Sequence, residues 1–306
     1  MRDVGEGLIA TIDRQTWMDG VAERVQGAIG KAFAAGGATG RRVRDALHGT
    51  WLGHPLHPVL TDVPIGGWTT AAVLDAMEAR APWTRRGRYA RGADAAVTIG
   101  LAGAAGAAVT GLTDWHHTSA TARKTGLVHG VLNTVATGLY VTSLVLRKRG
   151  DRDAGRAFAW AGFGVMLASA YLGGHLVYRQ RIGVNHSPED ANRADEELGW
   201  TPVLGEQQLP DGQLTRVDVR GIGVVLVRRG RTIFAMADSC AHLGGPLSEG
   251  AYDGRAISCP WHGSTFAVED GRVLRGPATY PQPCYATRVR EGQIEVRATF
   301  GEAAAA

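Results

Sequence analysis

The chain reads Cys240-Ala-His242-Leu243-Gly244-Gly245-Pro246-Leu247 and, with sixteen residues between His242 and the next cysteine, Cys259-Pro260-Trp261-His262-Gly263-Ser264-Thr265-Phe266. Each stretch offers one thiolate and one imidazole from a short glycine-bearing loop. Both groups are ligands for transition metals. Two of each also make a zinc set, but zinc fingers keep cysteines with cysteines and histidines with histidines. Here each loop contributes one of each, which points away from a finger.

The residues around the ligands resemble the two cluster-binding loops of the Rieske family, and the resemblance runs over roughly residues 200–298. It implies a small all-β domain holding a [2Fe–2S] cluster, with Cys240 and Cys259 on one iron and His242 and His262 on the other. Two departures from the quinol-oxidising branch carry information. That branch has an extra cysteine in each loop, joined as a disulfide; Gly245 and Trp261 stand at those positions here, and Cys284 has no such partner. A serine and a tyrosine there donate to cluster sulfur; Ser264 is kept as a tuning residue, while Phe266 stands at the tyrosine position. One donor kept and one lost implies an intermediate or low potential, as in ferredoxin-type members.

The flanks read as strands. Val217 and Val219 alternate, Val224–Val227 and Ile233–Ala235 are short apolar runs, and Thr265–Val268, Thr287–Val289 and Ile294–Val296 follow with Gly-bearing turns between them. The loop from Gly276 to Pro283 is rich in proline, and by the resemblance it covers the cluster.

Upstream, the character changes. Residues 200–306 hold eleven basic and eleven acidic groups, so the net charge of +4 lies in the first 199 residues. Four apolar stretches of about bilayer length, ~20 residues, run near 59–77, 93–115, 127–146 and 158–178. They are rich in Gly and Ala, as in Gly100–Ala108, which lets helices approach closely. The fold class is therefore multidomain: an all-α four-helix transmembrane bundle followed by the all-β Rieske-type domain. The boundaries are an amphipathic N-terminal segment over 1–47, with a helix from Ile9 to Phe33 broken at Gly36–Gly40; the membrane domain over 48–185; an acidic linker over 186–202; the Rieske domain over 203–298; and a tail over 299–306.

Basic residues gather between the first and second spans (Arg80, Arg85, Arg86, Arg88, Arg91) and between the third and fourth (Arg147, Lys148, Arg149, Arg152, Arg156). The positive-inside rule puts these loops in the cytoplasm of a bacterial plasma membrane and the Rieske domain outside. The absence of a signal peptide and of a twin-arginine segment, and the unbridged cluster loops, argue for the other side.

Of ten histidines, eight lie outside the cluster loops: His48, His54, His57, His116, His117, His129, His175 and His186. With four antiparallel spans all eight fall at one membrane face. Ionisable groups in hydrocarbon mark functional sites or paired polar networks. Three readings stand: a haem b held by His129 and His175; a mononuclear or dinuclear metal site using also His57, Asp62, Asp114 or His116; or histidines paired with Asp and Asn that only pack the helices. Asn133 sits one turn after His129 on the same face. The stretches His54-Pro-Leu-His57-Pro58, Pro64-Ile-Gly66, Thr110–Asp114, His129–Asn133 and Gly173-Gly-His175 resemble a bacterial four-helix membrane family that brings no established activity with it.

These readings imply an electron-transfer protein fixed in a lipid bilayer, exchanging single electrons with a quinone, a haem or a redox protein. Alternatives are a ferredoxin-like donor to a separate oxygenase or reductase, with the bundle as anchor only, and a redox or metal sensor. Nucleic acid is not an expected partner, and small-residue helix faces allow self-association. An oxygenase catalytic subunit is not the expected reading, because it needs a large soluble domain for a mononuclear-iron triad and these 306 residues offer no stretch for one.

Overall fold

Apolar runs of bilayer length become helices. The computed structural model describes residues 4–80, 87–187 and 199–297. In it α1 (Val4–Asp13), α2 (Trp17–Ala35) and α3 (Gly37–His48) lead into α4 (Leu56–Arg80), α5 (Ala90–Trp115), α6 (Ala120–Lys148) and α7 (Arg152–Tyr178). Among the described residues, α5, α6 and α7 are long and apolar enough to cross a membrane. The expected count of four such spans is thus corrected to three. α4 occupies the place of the first and runs for 25 residues, but Asp62, Asp75 and Glu78 dilute its apolar content. The N-terminal segment departs from the expected helix between α1 and α2, where the chain turns at 14–16. The break expected at Gly36–Gly40 is a joint at Gly37, φ +53°, after which the chain resumes as α3. The expected acidic linker lies largely at 188–198, outside the described residues, as do Arg85, Arg86 and the tail.

The chain divides into two units, Met1–Val43 with Pro55–Ile182, and Arg44–His54 with Gly183–Ala306. In the first, α4 and α5 pack as one hairpin and α6 and α7 as another. Glycines set the spacing: Gly67 lies on Ala96 and Gly100, and Gly162 lies under Tyr140. Trp68 of the first hairpin stacks on Tyr140 of the second, with centroids 4.1 Å apart and planes 13° from parallel. Arg147 is fully buried and pairs with Asp75, itself 2% exposed; Asp94 bridges Arg147 at 3.3 Å and Arg152 at 2.9 Å. Outside, Val73, Ile99, Val109, Val131, Leu167 and Tyr171 are each more than half exposed. A polar, ion-paired interior inside an apolar coat is what lipid selects, since hydrocarbon solvates the coat and leaves charges to pair internally.

The second unit is β-rich. β1 (Thr201–Gly205), β2 (Thr215–Val219), β3 (Ile222–Arg229), β4 (Thr232–Ala237), β9 (Cys284–Arg290) and β10 (Gln293–Arg297) form one sheet in the order β1-β10-β9-β4-β3-β2. Between β4 and β9 the chain makes a smaller sheet, β5 (Ala251–Tyr252), β6 (Ala256–Ser258), β7 (Thr265–Ala267) and β8 (Val273–Arg275), in sequence order. The alternation in β3 explains its burial on both faces. Val224 and Leu226 enter one core with Ile294 and Val296, and Val225 and Val227 enter another with Leu247, Ile257 and Phe266.

Arg44–His54 falls in this β unit. His48 is 2% exposed, and Gly276 of the proline-rich loop backs onto Thr50, Asp45 and His48. Burial holds the Asp45 carboxyl above its ordinary value, against the opposing charges of Arg44, His48 and Arg275.

Candidate metal centre

The two ligand loops are built to one plan. In the first, the Cys240 N–H donates to Gly245 O at 2.9 Å and the Gly244 N–H returns to Cys240 O at 2.8 Å; in the second, Cys259 N–H donates to Ser264 O at 2.8 Å and Gly263 N–H returns to Cys259 O at 3.1 Å. Gly244 and Gly263 both turn through positive φ, +78° and +77°, where a side chain would be strained. The first loop joins β4 to β5 and the second is the β6–β7 connection, so the two sheets hold the loops face to face.

That plan sets depth. Cys240 and Cys259 are buried at 1% and 4% exposure, whereas His242 and His262 are half-buried. The two imidazoles stand edge to face, centroids 5.1 Å apart and planes at 88°. The thiols lie within hydrogen-bonding reach of each other. That shared bond raises Cys240, with burial adding to it, and brings Cys259 down to about 6. Backbone N–H groups of His242 on Cys240, and of Trp261 and His262 on Cys259, also favour thiolate. Burial alone lowers His262, since it disfavours the charged imidazolium.

Ser264 is fully buried. Its hydroxyl reaches Cys240 and accepts the Ala278 N–H at 3.0 Å, which ties the second loop to the proline-rich loop. Phe266 packs in the core beneath and brings no hydroxyl. A side chain at Gly245 would collide with the Trp261 indole and Cys259 Sγ, each 2.9 Å from its Cβ. Gly245 and Trp261 therefore fit each other as small against large, and Trp261 still shows 56% of its surface. Cys284 packs under Gly271; burial, with help from Asp270 and Glu269, pushes its thiol up to about 12.

Sequence reasoning missed Gln282. It is 1% exposed and makes three bonds to the first loop: Nε2 donates to Ala237 O at 2.8 Å and Ser239 O at 2.7 Å, and Oε1 accepts from Ala241 N at 3.0 Å. An amide between Pro281 and Pro283 was the available signal, since both neighbours lack an N–H to pair with the loop. His186, expected with the membrane histidines, belongs to this unit. Its N–H donates to Ala241 O at 2.9 Å and Ser239 Oγ donates to its carbonyl at 3.3 Å.

In the helical unit His129 and His175 do not share a face. His129 lies over Gly173 and places Nδ1 2.9 Å from Ser169 O. His175 falls about 120–160° round α7 from Ser169 and Gly173 at 100° per residue. Asp62 points outward and is exposed. His116 and His117 pack ring on ring at 3.7 Å, and His116 Nδ1 lies 2.6 Å from Thr113 O. Among the described residues no three His, Cys, Asp or Glu side chains converge as a mononuclear site needs. The cluster loops meet that test differently, with sulfurs and imidazoles in two pairs.

Two family models match. The Rieske [2Fe–2S] domain covers residues 199–286, and a predicted membrane protein family, DUF2231, covers 53–186. The chain is similar to ferredoxin CarAc of Metapseudomonas resinovorans, 35% identical over 32% of this chain and 92% of that protein. It is similar also to the ferredoxin component of the naphthalene 1,2-dioxygenase system of Pseudomonas aeruginosa, 32% identical over 31% of this chain and 89% of that protein. A solved ferredoxin of carbazole 1,9a-dioxygenase from Nocardioides aromaticivorans IC177 matches with 30% identity, 32% of this chain, 97% of that chain and a TM-score of 0.32.

Proposed function

We propose a function from one premise: the chain belongs to the Rieske [2Fe–2S] domain family. It is an electron-transfer protein, and its β unit is a one-electron carrier held at a bacterial plasma membrane by the helical unit. Cys240 and Cys259 hold one iron, and His242 and His262 the other. The cluster, when bound, supplies a one-electron couple. The chain's own residues set the rest. N–H groups of His242, Trp261 and His262 and the Ser264 hydroxyl point at sulfur and stabilise added negative charge.

The observation that carries this reading is the difference in depth: both sulfurs are buried and both imidazoles reach the surface. Electrons therefore cross at the histidine edge, where exposed Trp261 gives a partner an apolar contact. A redox protein is the partner best supported, because relatives that align over nine-tenths of their length are ferredoxin components. The fused helical unit favours a second reading, in which a quinone in the bilayer exchanges electrons with the cluster.

The test uses the full chain in lipid nanodiscs. Reduced protein gives the EPR signal of a Cys2His2 two-iron cluster, and His242→Ala and Cys259→Ser each abolish it. A chain that holds zinc and gives no signal after anaerobic reconstitution would overturn the assignment. Stopped-flow oxidation by a dioxygenase component against a quinone analogue separates the two partners. A reporter fused after Ala306 fixes the side; activity outside the cell agrees with the loop charges.

A further inference from the structure

The helical unit repeats itself. A spacing of 72 residues separates His57 from His129, Trp68 from Tyr140 and Asp75 from Arg147. At that spacing Val59, Leu60, Val63, Gly66, Thr70, Val73 and Leu74 recur unchanged in α6. Burial follows the same register: Pro64, Trp68, Ala71 and Asp75 inside α4 answer to Ala136, Tyr140, Ser143 and Arg147 inside α6. A second spacing, 62 residues, relates α5 to α7 through Gly100 and Gly162, Ala107 and Ser169, and Gly111 and Gly173. Gly100 lies under Trp68 as Gly162 lies under Tyr140. Two hairpins of one design therefore face each other.

A residue that touches its own counterpart lies on the twofold axis relating two copies. Trp68 stacks on Tyr140 and Asp75 pairs with Arg147, so a pseudo-twofold axis passes through both contacts. Positions 57, 64, 68, 71 and 75 form one stripe at helical spacing, and so do their counterparts. His57 and His129 end the stripes. They lie about 27 Å along the bundle from the ion pair, at 1.5 Å per residue.

The two imidazoles are held alike. His57 Nδ1 is 2.9 Å from Ala107 O, and His129 Nδ1 is 2.9 Å from Ser169 O. A carbonyl only accepts, so both Nδ1 atoms carry the proton and both Nε2 atoms keep the lone pair. Asn133 Nδ2, 3.0 Å from His129 Nε2, donates to that lone pair. A glycine makes room for each ring: a Cβ at Gly111 would stand 2.7 Å from the His57 ring and one at Gly173 would stand 3.1 Å from the His129 ring. Being counterparts, the two rings stand at one level on opposite sides of the axis.

We propose that His57 and His129 are a bis-imidazole site for haem b at one end of the pseudo-twofold axis. Nδ1 donation to a carbonyl is how metal-ligating histidines are fixed and made more basic. A bare divalent ion needs three or more protein ligands, and no such set converges among the described residues. A porphyrin brings four equatorial nitrogens and asks for two axial imidazoles in an apolar layer. The bond to iron replaces the Asn133 hydrogen bond. His175, whose counterpart at the 62-residue spacing is Thr113, has no place in this pair.

The test purifies the full chain from cells supplied with a haem precursor and reads its reduced optical spectrum. One low-spin haem per chain is expected. His57→Ala and His129→Ala each lower six-coordinate haem at least tenfold, and His175→Ala leaves it unchanged. Imidazole added to His129→Gly restores the six-coordinate spectrum. Haem retained by both alanine variants overturns the site, as does a stoichiometric zinc or copper ion in its place, or a haem-free chain from haem-replete cells. The thermal melt of the helical unit in detergent, read on the same samples, shows that each variant is folded. The electron-carrier reading fails by losing the cluster EPR signal, independently of the haem result.

Discussion

Both units build a site by using one local design twice, yet they differ in how far apart the copies lie. In the β unit two loops share a backbone plan, with the N–H of each cysteine bonded five residues ahead and a positive-φ glycine fourth after it. In the helical unit two hairpins share a packing plan, with an aromatic and a histidine each seated on a glycine of the following helix. The first duplication packs four ligands into 23 residues and can be read directly from the chain. The second spreads its equivalent groups over 72 residues and shows itself only through contacts between counterparts. Short-range symmetry makes a motif, whereas long-range symmetry makes an axis.

The largest effect expected breaks the axis. Arg147→Met leaves the Asp75 carboxylate buried with one cationic partner removed, which costs about 3–5 kcal/mol. The double variant Arg147→Met/Asp75→Leu removes both charges and regains most of that stability. Thermal unfolding in detergent, followed by the Trp68 fluorescence, measures both. The cluster EPR signal of each variant is expected to stay unchanged, because the duplicated loops stand on the two sheets of the β unit. A signal lost together with the helices would merge the two regions into one cooperative body.

That contrast also explains what the chain reveals on reading. The cluster loops, the strands over Val217–Val219, Val224–Val227 and Ile294–Val296, and three apolar spans are all written in local spacing, and the structure contains them. β5, β6 and β8 went unread because two or three residues are too few for alternation to register, and β1, five residues long, because Pro202 and Gly205 break its pattern. The polar content of α4 hid in a stretch that looks apolar, since Asp75 is neutralised by a residue 72 positions away. Gln282 escaped for the same reason as the histidine pair. Its importance lies in three carbonyl and amide groups distant in sequence, and the prolines on either side of it mark the amide without naming those partners.

Gln282 gives the next test. Gln282→Leu leaves two carbonyls and the Ala241 N–H buried without partners, a loss of about 2–4 kcal/mol. The first loop bears it and the second does not. Cluster release in mild urea is expected to quicken, while the helical unit melts as before. If release is unaltered, loop geometry is set by the glycines alone. Ser264→Ala acts more weakly, at about 1–2 kcal/mol for the orphaned Ala278 N–H. It also removes a donor to Cys240, so the midpoint potential falls in a redox titration. A potential that stays put would mean the backbone N–H groups do all the tuning.

The smallest effect concerns the cysteine outside either design. Cys284 sits with its thiol pushed up to about 12 by burial, from an ordinary value of 9.0. The folded state therefore binds this proton more tightly than the unfolded state does. Its contribution to stability is complete below pH 9 and is lost as the pH climbs from 9 towards 12. At pH 8 it carries about a thousandth of the thiolate of an ordinary cysteine, and alkylation of the cluster-loaded chain is slowed accordingly. Cys284→Ala removes that stretch of alkaline pH dependence and leaves the cluster spectrum in place. Rapid alkylation of Cys284 in the loaded chain would show that the core beneath the loops opens, and that the two sheets, unlike the two hairpins, are not held shut by their own packing.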